Sequence, residues 1–145
     1  MTDPRVMPDP AVVLVRYLDT HELIDQAGAA GRVGTATPRT TDDPWVRVTL
    51  IDPAPDPTSP ALHLLACFFQ FDCYGSDDKN TSEAQASLLG RSVQAAVHEI
   101  HTHTFDDVVV NSSIVGGPRP IPDDDLKPAR HRYILEATIY MHPAP

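Results

Sequence analysis

The clearest pattern in the chain is an alternation with period two across residues 63–74. One side of this stretch is entirely apolar, whereas the other side becomes polar towards its end, at Gln70, Asp72 and Tyr74. Such alternation predicts a β-strand that covers a core with one face and leaves the other face partly open. The predicted core positions are Leu65, Cys67, Phe69, Phe71 and Cys73, while Leu64, Ala66 and Phe68 share the open face.

A helical period follows the polar turn at residues 75–79 and predicts a long amphipathic helix. Asn80 lies three residues before Glu83, a spacing at which the two side chains satisfy the first free amides of a helix. We therefore expect residues 63–101 to form a strand, a turn and a helix that organise the rest of the chain. The predicted apolar stripe of the helix consists of Ala86, Leu89, Val93, Ala96, Val97 and Ile100.

Shorter patterns on both sides of this unit predict the remaining elements. Asp9-Pro10 is typical of a helix start, because aspartate caps free amides and proline tolerates the first helical position. One or two further helical turns follow between Thr20 and Gly28. Alternating apolar positions predict strands at residues 32–36, 45–52, 108–115 and 130–142. The apolar stripe of the first helix is Ala11, Leu14, Val15 and Leu18, and the core face of the last strand is Tyr133, Leu135, Ala137, Ile139 and Met141.

The order of these elements, α-β-β-β-α-β-β, predicts one α+β domain spanning residues 1–145. We expect a mostly antiparallel sheet of four to five strands with the two helices packed on one face. The proline-rich stretch 53–61 is long enough to join strands 45–52 and 63–74 as an irregular hairpin. The long helix between neighbouring strands leaves room for one parallel pair.

Composition and charge narrow the class of protein. The 145 residues include 15 prolines, and 20 acidic against 11 basic residues give a net charge of −9, so we expect no basic face for nucleic acid. We expect a soluble protein made inside a cell, because no stretch has the layout of a secretion signal or the length of a membrane span. Cys67 and Cys73 lie about 20 Å apart along one strand face, too far for a disulfide, and are expected to be reduced core thiols.

The strongest candidates for chemistry are histidines at the end of the long helix. His98, His101 and His103 could together bind zinc, which accepts three imidazoles. The alternative is that they are polar side chains at a helix terminus, where imidazolium suits the helix dipole, and we favour that interpretation. The run Asp123-Asp124-Asp125 lacks the ligand spacing of a calcium loop and is expected to be a solvated acidic loop. No catalytic set or cofactor site is predicted.

The layout resembles the tail terminator (tail-completion) proteins of long-tailed bacteriophages across nearly the whole chain. The similarity lies in the order of Asp9-Pro10 with Leu14, the strand Pro44-Trp45-Val46-Arg47-Val48, Tyr74-Gly75, the helix positions Ala86, Leu89, Val93 and Ala96, and Arg132-Tyr133 onward. The resemblance implies a ring, usually of six subunits, that caps the head-proximal end of the tail tube and stops its polymerisation. It also implies joining to the head connector, a location in the virion neck after assembly in the bacterial cytoplasm, and passage of genomic DNA through the ring without sequence readout.

The proline-rich loops 37–44, 53–61 and 116–129 are the predicted interaction surface, because prolines reduce the entropy that a loop loses on docking. Alternatives remain: another head–tail connector protein, a small metal-dependent hydrolase using the three histidines, or a monomeric host binding module. The candidate subunit-interface or lumen residues are Arg119, Ile121, Asp123, Asp124, Asp125, Trp45 and Arg47.

Overall fold

A mixed β-sheet with helices on one face forms the framework of the protein. It is seen in a computed structural model that describes residues 6–36, 43–55, 64–77, 81–123 and 130–144. The strands are β1 Val33–Gly34, β2 Trp45–Pro55, β3 Leu65–Tyr74, β4 Val108–Val115, β5 Arg119–Pro120 and β6 Arg132–Pro143. The helices are α1 Pro10–Asp19, α2 Glu22–Gln26 and α3 Ser82–His98, and a short 3₁₀ turn, Ile100–Thr102, follows α3.

The strands lie side by side in the order β1-β2-β3-β6-β4, and β5 pairs with β6 beyond the end of β4. The β2–β3, β3–β6 and β4–β6 pairs are antiparallel, whereas β1 pairs with β2 in parallel. The last strand in the chain, β6, is therefore central in the sheet. These pairings confirm an α+β fold with a mostly antiparallel sheet and confirm the predicted hairpin of β2 and β3.

The core lies between one face of the sheet and the helices. Register aligns the apolar positions of neighbouring strands, so that Val48, Phe71 and Leu135 form one row across the sheet. The helix stripe predicted from Ala86 to Ile100 is buried throughout, as are Cys67 and Cys73, which are free thiols. The period-two and helical patterns thus correctly predicted this face, because each residue on it is surrounded by apolar side chains and needs no polar partner.

Local chain chemistry explains the ends of the helices. The Asp9 carboxylate accepts a hydrogen bond from the amide of Ala11 at 3.0 Å, as the sequence predicted. Gly28 and Gly31 adopt positive φ angles of 83° and 77°, which side chains with a Cβ disfavour, and so end the α2 region. At Gly75, a Cβ would collide with the backbone oxygen of Ser82, so the turn before α3 requires glycine.

Four details of the predicted fold were wrong. The sheet has six described strands rather than four or five, and α2 is a separate third helix. The parallel pair is β1–β2 and not a pair joined by the long helix. The cap residue of α3 is Thr81, without a side-chain cap bond, whereas Asn80 lies outside the described residues.

Proline-rich stretches also form more strand than the sequence predicted. Strand β2 continues to Pro55 after a bulge between Leu50 and Asp52, and β5 lies within the segment 116–122, which we expected to be irregular. Prolines are tolerated there because an edge strand leaves alternate amide positions facing away from its partner. Of the predicted loops 37–44, 53–61 and 116–129, the structure describes residues 43–44, 53–55 and 116–123. No described helix has the length and apolar character needed to cross a membrane.

Candidate functional site

The face of the sheet opposite the helices carries a cluster of charged side chains at one end. Arg47 on β2 and Asp72 on β3 are directly paired across the two strands. Arg47 Nε donates to Asp72 Oδ2 at 2.7 Å, a guanidinium terminal nitrogen donates to the same oxygen, and Gln70 donates to Asp72 Oδ1 at 2.9 Å. The Asp72 side chain is fully buried, and these hydrogen bonds compensate for the loss of its contacts with water.

Asp123 belongs to the same cluster although it lies far along the chain. Tyr74 donates its hydroxyl hydrogen to Asp123 Oδ2 at 3.0 Å, and an Arg132 guanidinium nitrogen lies 3.6 Å from that oxygen. Asp123 also forms an isolated antiparallel bridge with Arg130. The prediction of an exposed acidic loop was therefore wrong for Asp123, which is buried because Tyr74 and Arg132 compensate its charge. Asp124 and Asp125 lie outside the described residues.

Arg130 fastens the same end of the sheet to two turns. Its Nε donates to the backbone oxygen of Gly75 at 3.1 Å, and a terminal nitrogen donates to the backbone oxygen of Asp43 at 2.9 Å. The guanidinium groups of Arg47 and Arg130 lie 6.0 Å and 5.8 Å from the centroid of the Tyr74 ring, within cation–π range. The six residues Arg47, Asp72, Tyr74, Asp123, Arg130 and Arg132 are called the charged cluster below.

The pKa values of Tyr74 and Arg47 are shifted in the direction that keeps these two side chains protonated. Burial raises the pKa of Tyr74 to about 12, which keeps the phenol protonated as a hydrogen-bond donor. For Arg47, burial lowers the pKa, but the hydrogen bond and charge of Asp72 raise it, and the net shift is upward. The groups of the charged cluster bond to one another, and the cluster therefore stabilises this end of the sheet.

Trp45 lies beside the charged cluster at the start of β2. Its indole nitrogen donates to the backbone oxygen of Ala36 at 3.1 Å. The ring packs against Gly34, where an added Cβ would approach Trp45 Cζ2 to 3.3 Å. Trp45 therefore holds β1 and the residues after it against β2. This contact could not be predicted from the sequence, because β1 is only two residues long.

Arg119 and Ile121 lie on the edge of the sheet next to β6, with no contact to Trp45 or Arg47 among the described residues. Arg119 forms an exposed ion pair with Glu136 at 3.3 Å. Ile121 donates its amide hydrogen to the backbone oxygen of Arg132 at 2.8 Å, and the side-chain Nε of Arg132 donates to the Ile121 oxygen at 3.0 Å. The Ile121 side chain is exposed. The structure thus brings Arg47 and Asp123 together, joins Ile121 to the charged cluster through Arg132, and leaves Arg119 paired with Glu136 outside the cluster.

Exposed apolar side chains form a second feature, which sequence reasoning missed. Ile51 on β2 is 47% exposed, and on β4 Val109 and Ile114 are 38% and 66% exposed. By contrast, the inner strands β3 and β6 carry no large exposed apolar side chain among the described residues. The residue types alone could not reveal this arrangement, because it depends on the order of the strands in the sheet.

The histidines at the end of α3 do not assemble into a metal-binding group. His98, His101 and His103 are exposed, and the His103 ring packs edge-on against Tyr17 and Phe105 with centroids 5.3 Å and 4.6 Å away. Within the described parts of the chain, no three His, Cys, Asp or Glu side chains are placed to hold a metal ion. The hydrolase alternative therefore gains no support from the geometry.

The two cysteines are placed where they have little reactivity. Both side chains lie on the helix face of β3 and are buried. Burial raises the pKa of the Cys67 thiol to about 11 and also raises that of Cys73. Since the thiolate is the nucleophilic form, neither residue is suited to nucleophilic catalysis near neutral pH.

Comparison with known proteins gave no assignment: no family model matches the chain, and no curated protein matches it.

Proposed function

We propose that this protein is a ring-forming structural component of the neck of a long-tailed phage, namely a tail terminator. The ring, of six copies, caps the head-proximal end of the tail tube, stops tube polymerisation and presents a surface to the head connector. This function is the one implied by the resemblance in the order of elements from Asp9-Pro10 to the final strand.

The observation that carries the proposal is the position of the exposed apolar side chains on the sheet. They occur on β2 at one side and on β4 at the other, as Ile51, Val109 and Ile114. A ring needs two different contact surfaces on opposite sides of each subunit, so that every copy binds the next one head to tail. Unpaired sheet edges also favour coverage by a neighbouring chain.

The charge of the chain supports a second part of the proposal. A net charge of −9 per copy, repeated around a ring, gives the assembly a strongly negative surface. Such a surface repels the DNA phosphates, so the genome passes through the lumen without being held. The proposal involves no catalysis, no cofactor and no membrane.

The test combines the purified protein with the tail tube protein encoded in the same genome. We expect electron microscopy to show six-membered rings on one end of each tube, and tubes that stop growing once a ring has bound. The same tube protein without the terminator should continue to polymerise. Unchanged tube growth and bare tube ends in the presence of the protein would contradict the proposal.

A further inference from the structure

We propose that the ring is held together by a continued β-sheet, in which β4 of one copy pairs antiparallel with β2 of the next copy. This inference rests on the proposed function, because it requires a closed ring. Three antiparallel pairings lead from β2 through β3 and β6 to β4, so β2 and β4 run in opposite directions. Among the described residues, the short strand β1 covers the outer edge of β2 at Val46 and Arg47 and not further along. In the proposed ring, neighbouring copies are related by a rotation about an axis parallel to the strands. Such a rotation leaves the direction of every strand unchanged, so β4 of one copy lies antiparallel to β2 of the next.

The outer edge of β4 has backbone groups available for this pairing. Gly116 donates its amide hydrogen to the backbone oxygen of Glu136 at 2.9 Å. The backbone groups of Gly116 therefore point towards β6, and those of Val115 before it point away from β6. The pairing of Ser113 with Ile139 and of Val110 with Met141 places these two residues outward as well. Among the described residues, no hydrogen bond reaches the outward groups of Val110, Ser113 or Val115.

The outer edge of β2 offers mainly acceptors, which the amide donors of β4 can meet but those of a second β2 cannot. Val46 donates its amide hydrogen to the backbone oxygen of Arg32 at 3.0 Å, on the side of β2 away from β3. The backbone groups of Leu50, four residues later, therefore also point away from β3. After the bulge, Pro53 and Pro55 pair with Cys67 and Leu65 and take over the outward positions. They offer carbonyl oxygens without amide hydrogens, and so two such edges would lack donors.

The register of the sheet fixes which residues meet across the junction. Ile114 lies in one cross-strand row with Thr138, Phe68 and Asp52, and Ile51 is the bulge residue beside Asp52. Rotation about an axis parallel to the strands keeps each row at the same height along that axis. Ile114 of one copy therefore meets Ile51 of the next. In the adjacent row, Val115 meets Leu50, where both residues offer a donor and an acceptor.

Disulfide trapping tests this junction on the full chain, assembled with polymerising tail tube protein. The variant that carries both Ile51→Cys and Ile114→Cys is oxidised and run on a gel without reductant. We expect a ladder of linked oligomers that ends at the ring size and collapses on reduction. The wild type should stay monomeric, because Cys67 and Cys73 are buried. The matched control pairs Ile51→Cys with Leu88→Cys, since Leu88 is 43% exposed on α3 and should give no ladder.

The outcomes separate the junction from the function. Rings seen by electron microscopy without a ladder would overturn the junction and leave the proposed function standing. Dimers formed by Ile114→Cys alone would also overturn the junction, because they show two β4 edges pairing with each other. A ladder without closed rings would overturn the ring and, with it, the junction as the contact that closes the ring. Absence of both rings and ladder would overturn both proposals.

Discussion

The two faces of the sheet are stabilised by different means. Beneath the helices, Phe71 and its neighbours are apolar and buried, and their stabilisation comes from removing hydrocarbon surface from water. On the opposite face, Asp72 is equally buried although it is charged, and it is tolerated because Arg47 and Gln70 bond to it. One face thus depends on shape and volume, whereas the other depends on correct pairing of polar groups.

Strand β3 allows a direct comparison of the two faces, because Phe71 and Phe68 lie on opposite sides of it. We expect Phe71→Ala to lower the free energy of unfolding by about 3–5 kcal/mol, as in other buried large-to-small substitutions. Phe68→Ala should cost only about 1–2 kcal/mol, because that side chain is partly exposed and leaves no closed cavity. Urea unfolding of both variants measures the difference, and equal losses would contradict the distinction between the faces.

Removing the buried charge of Asp72 should have the next largest effect. We expect Asp72→Asn to lower the free energy of unfolding by about 2–3 kcal/mol, because Arg47 loses a charged acceptor. The matched control is Glu136→Gln, which breaks the exposed ion pair with Arg119 and should cost less than about 1 kcal/mol. Chemical unfolding at neutral pH checks both values, and similar costs for the two variants would show that the charged cluster adds no special stability.

Alkaline pH should lower the free energy of unfolding, because titratable side chains on both faces of the sheet lose protons. Burial raises the pKa of Cys67 from 9.0 to about 11, and that of Tyr17 and Tyr74 from 10.0 to about 12. The unfolded chain therefore releases these protons at lower pH than the folded one. The stability that they contribute is complete below the unfolded pKa values and is lost as pH rises through the folded ones.

The measurement is the free energy of unfolding in a series of buffers from neutral to strongly alkaline pH. Tyr17→Phe, which removes one titrating group and its hydrogen bond to the Ala96 oxygen, should lower the starting stability and flatten part of the alkaline decline. A decline of unchanged steepness in that variant would mean that Tyr17 is not one of the groups responsible.

The smallest effect on the isolated subunit is expected at the exposed edge. Ile114→Lys should change the free energy of unfolding by less than about 0.5 kcal/mol, because the side chain is 66% exposed. It should nevertheless prevent ring formation on tail tubes, since it places a charge at the proposed junction. Leu88→Lys is the control for a new surface charge and should assemble normally. Normal rings from Ile114→Lys would place the contact elsewhere.

The sequence predicted the two faces unequally well for a physical reason. Apolar residues at period two identify a buried face from a single strand, so the core positions of β3 and β6 were correct. The charged cluster, in contrast, joins Tyr74 to Asp123 and Arg130 to Gly75, residues that are distant along the chain. A run of three aspartates is indistinguishable from a solvated loop until the partner of Asp123 is known.

The edges of the sheet were unpredictable for a related reason. Ile51 and Ile114 each occur in a strand pattern. The exposure of Ile114 follows from the strand order, which leaves β4 at an edge of the sheet, whereas Ile51 lies in the bulge between Leu50 and Asp52. Proline was also misleading in the segment around Arg119-Pro120, because its effect depends on whether the missing amide faces a partner or an open edge.

The central position of β6 has a consequence for biosynthesis. Strands β3 and β4 leave the ribosome before residues 132–143, and they have no direct pairing with each other among the described residues. Nascent chains therefore pass through a stage in which the sheet has a gap and unpaired backbone groups, a stage prone to misassociation. Since β4 is held in the sheet by β6, its outer edge becomes ordered only after that strand has docked. The order of translation thus delays the ordering of the outer edge of β4 until β6 has been synthesised.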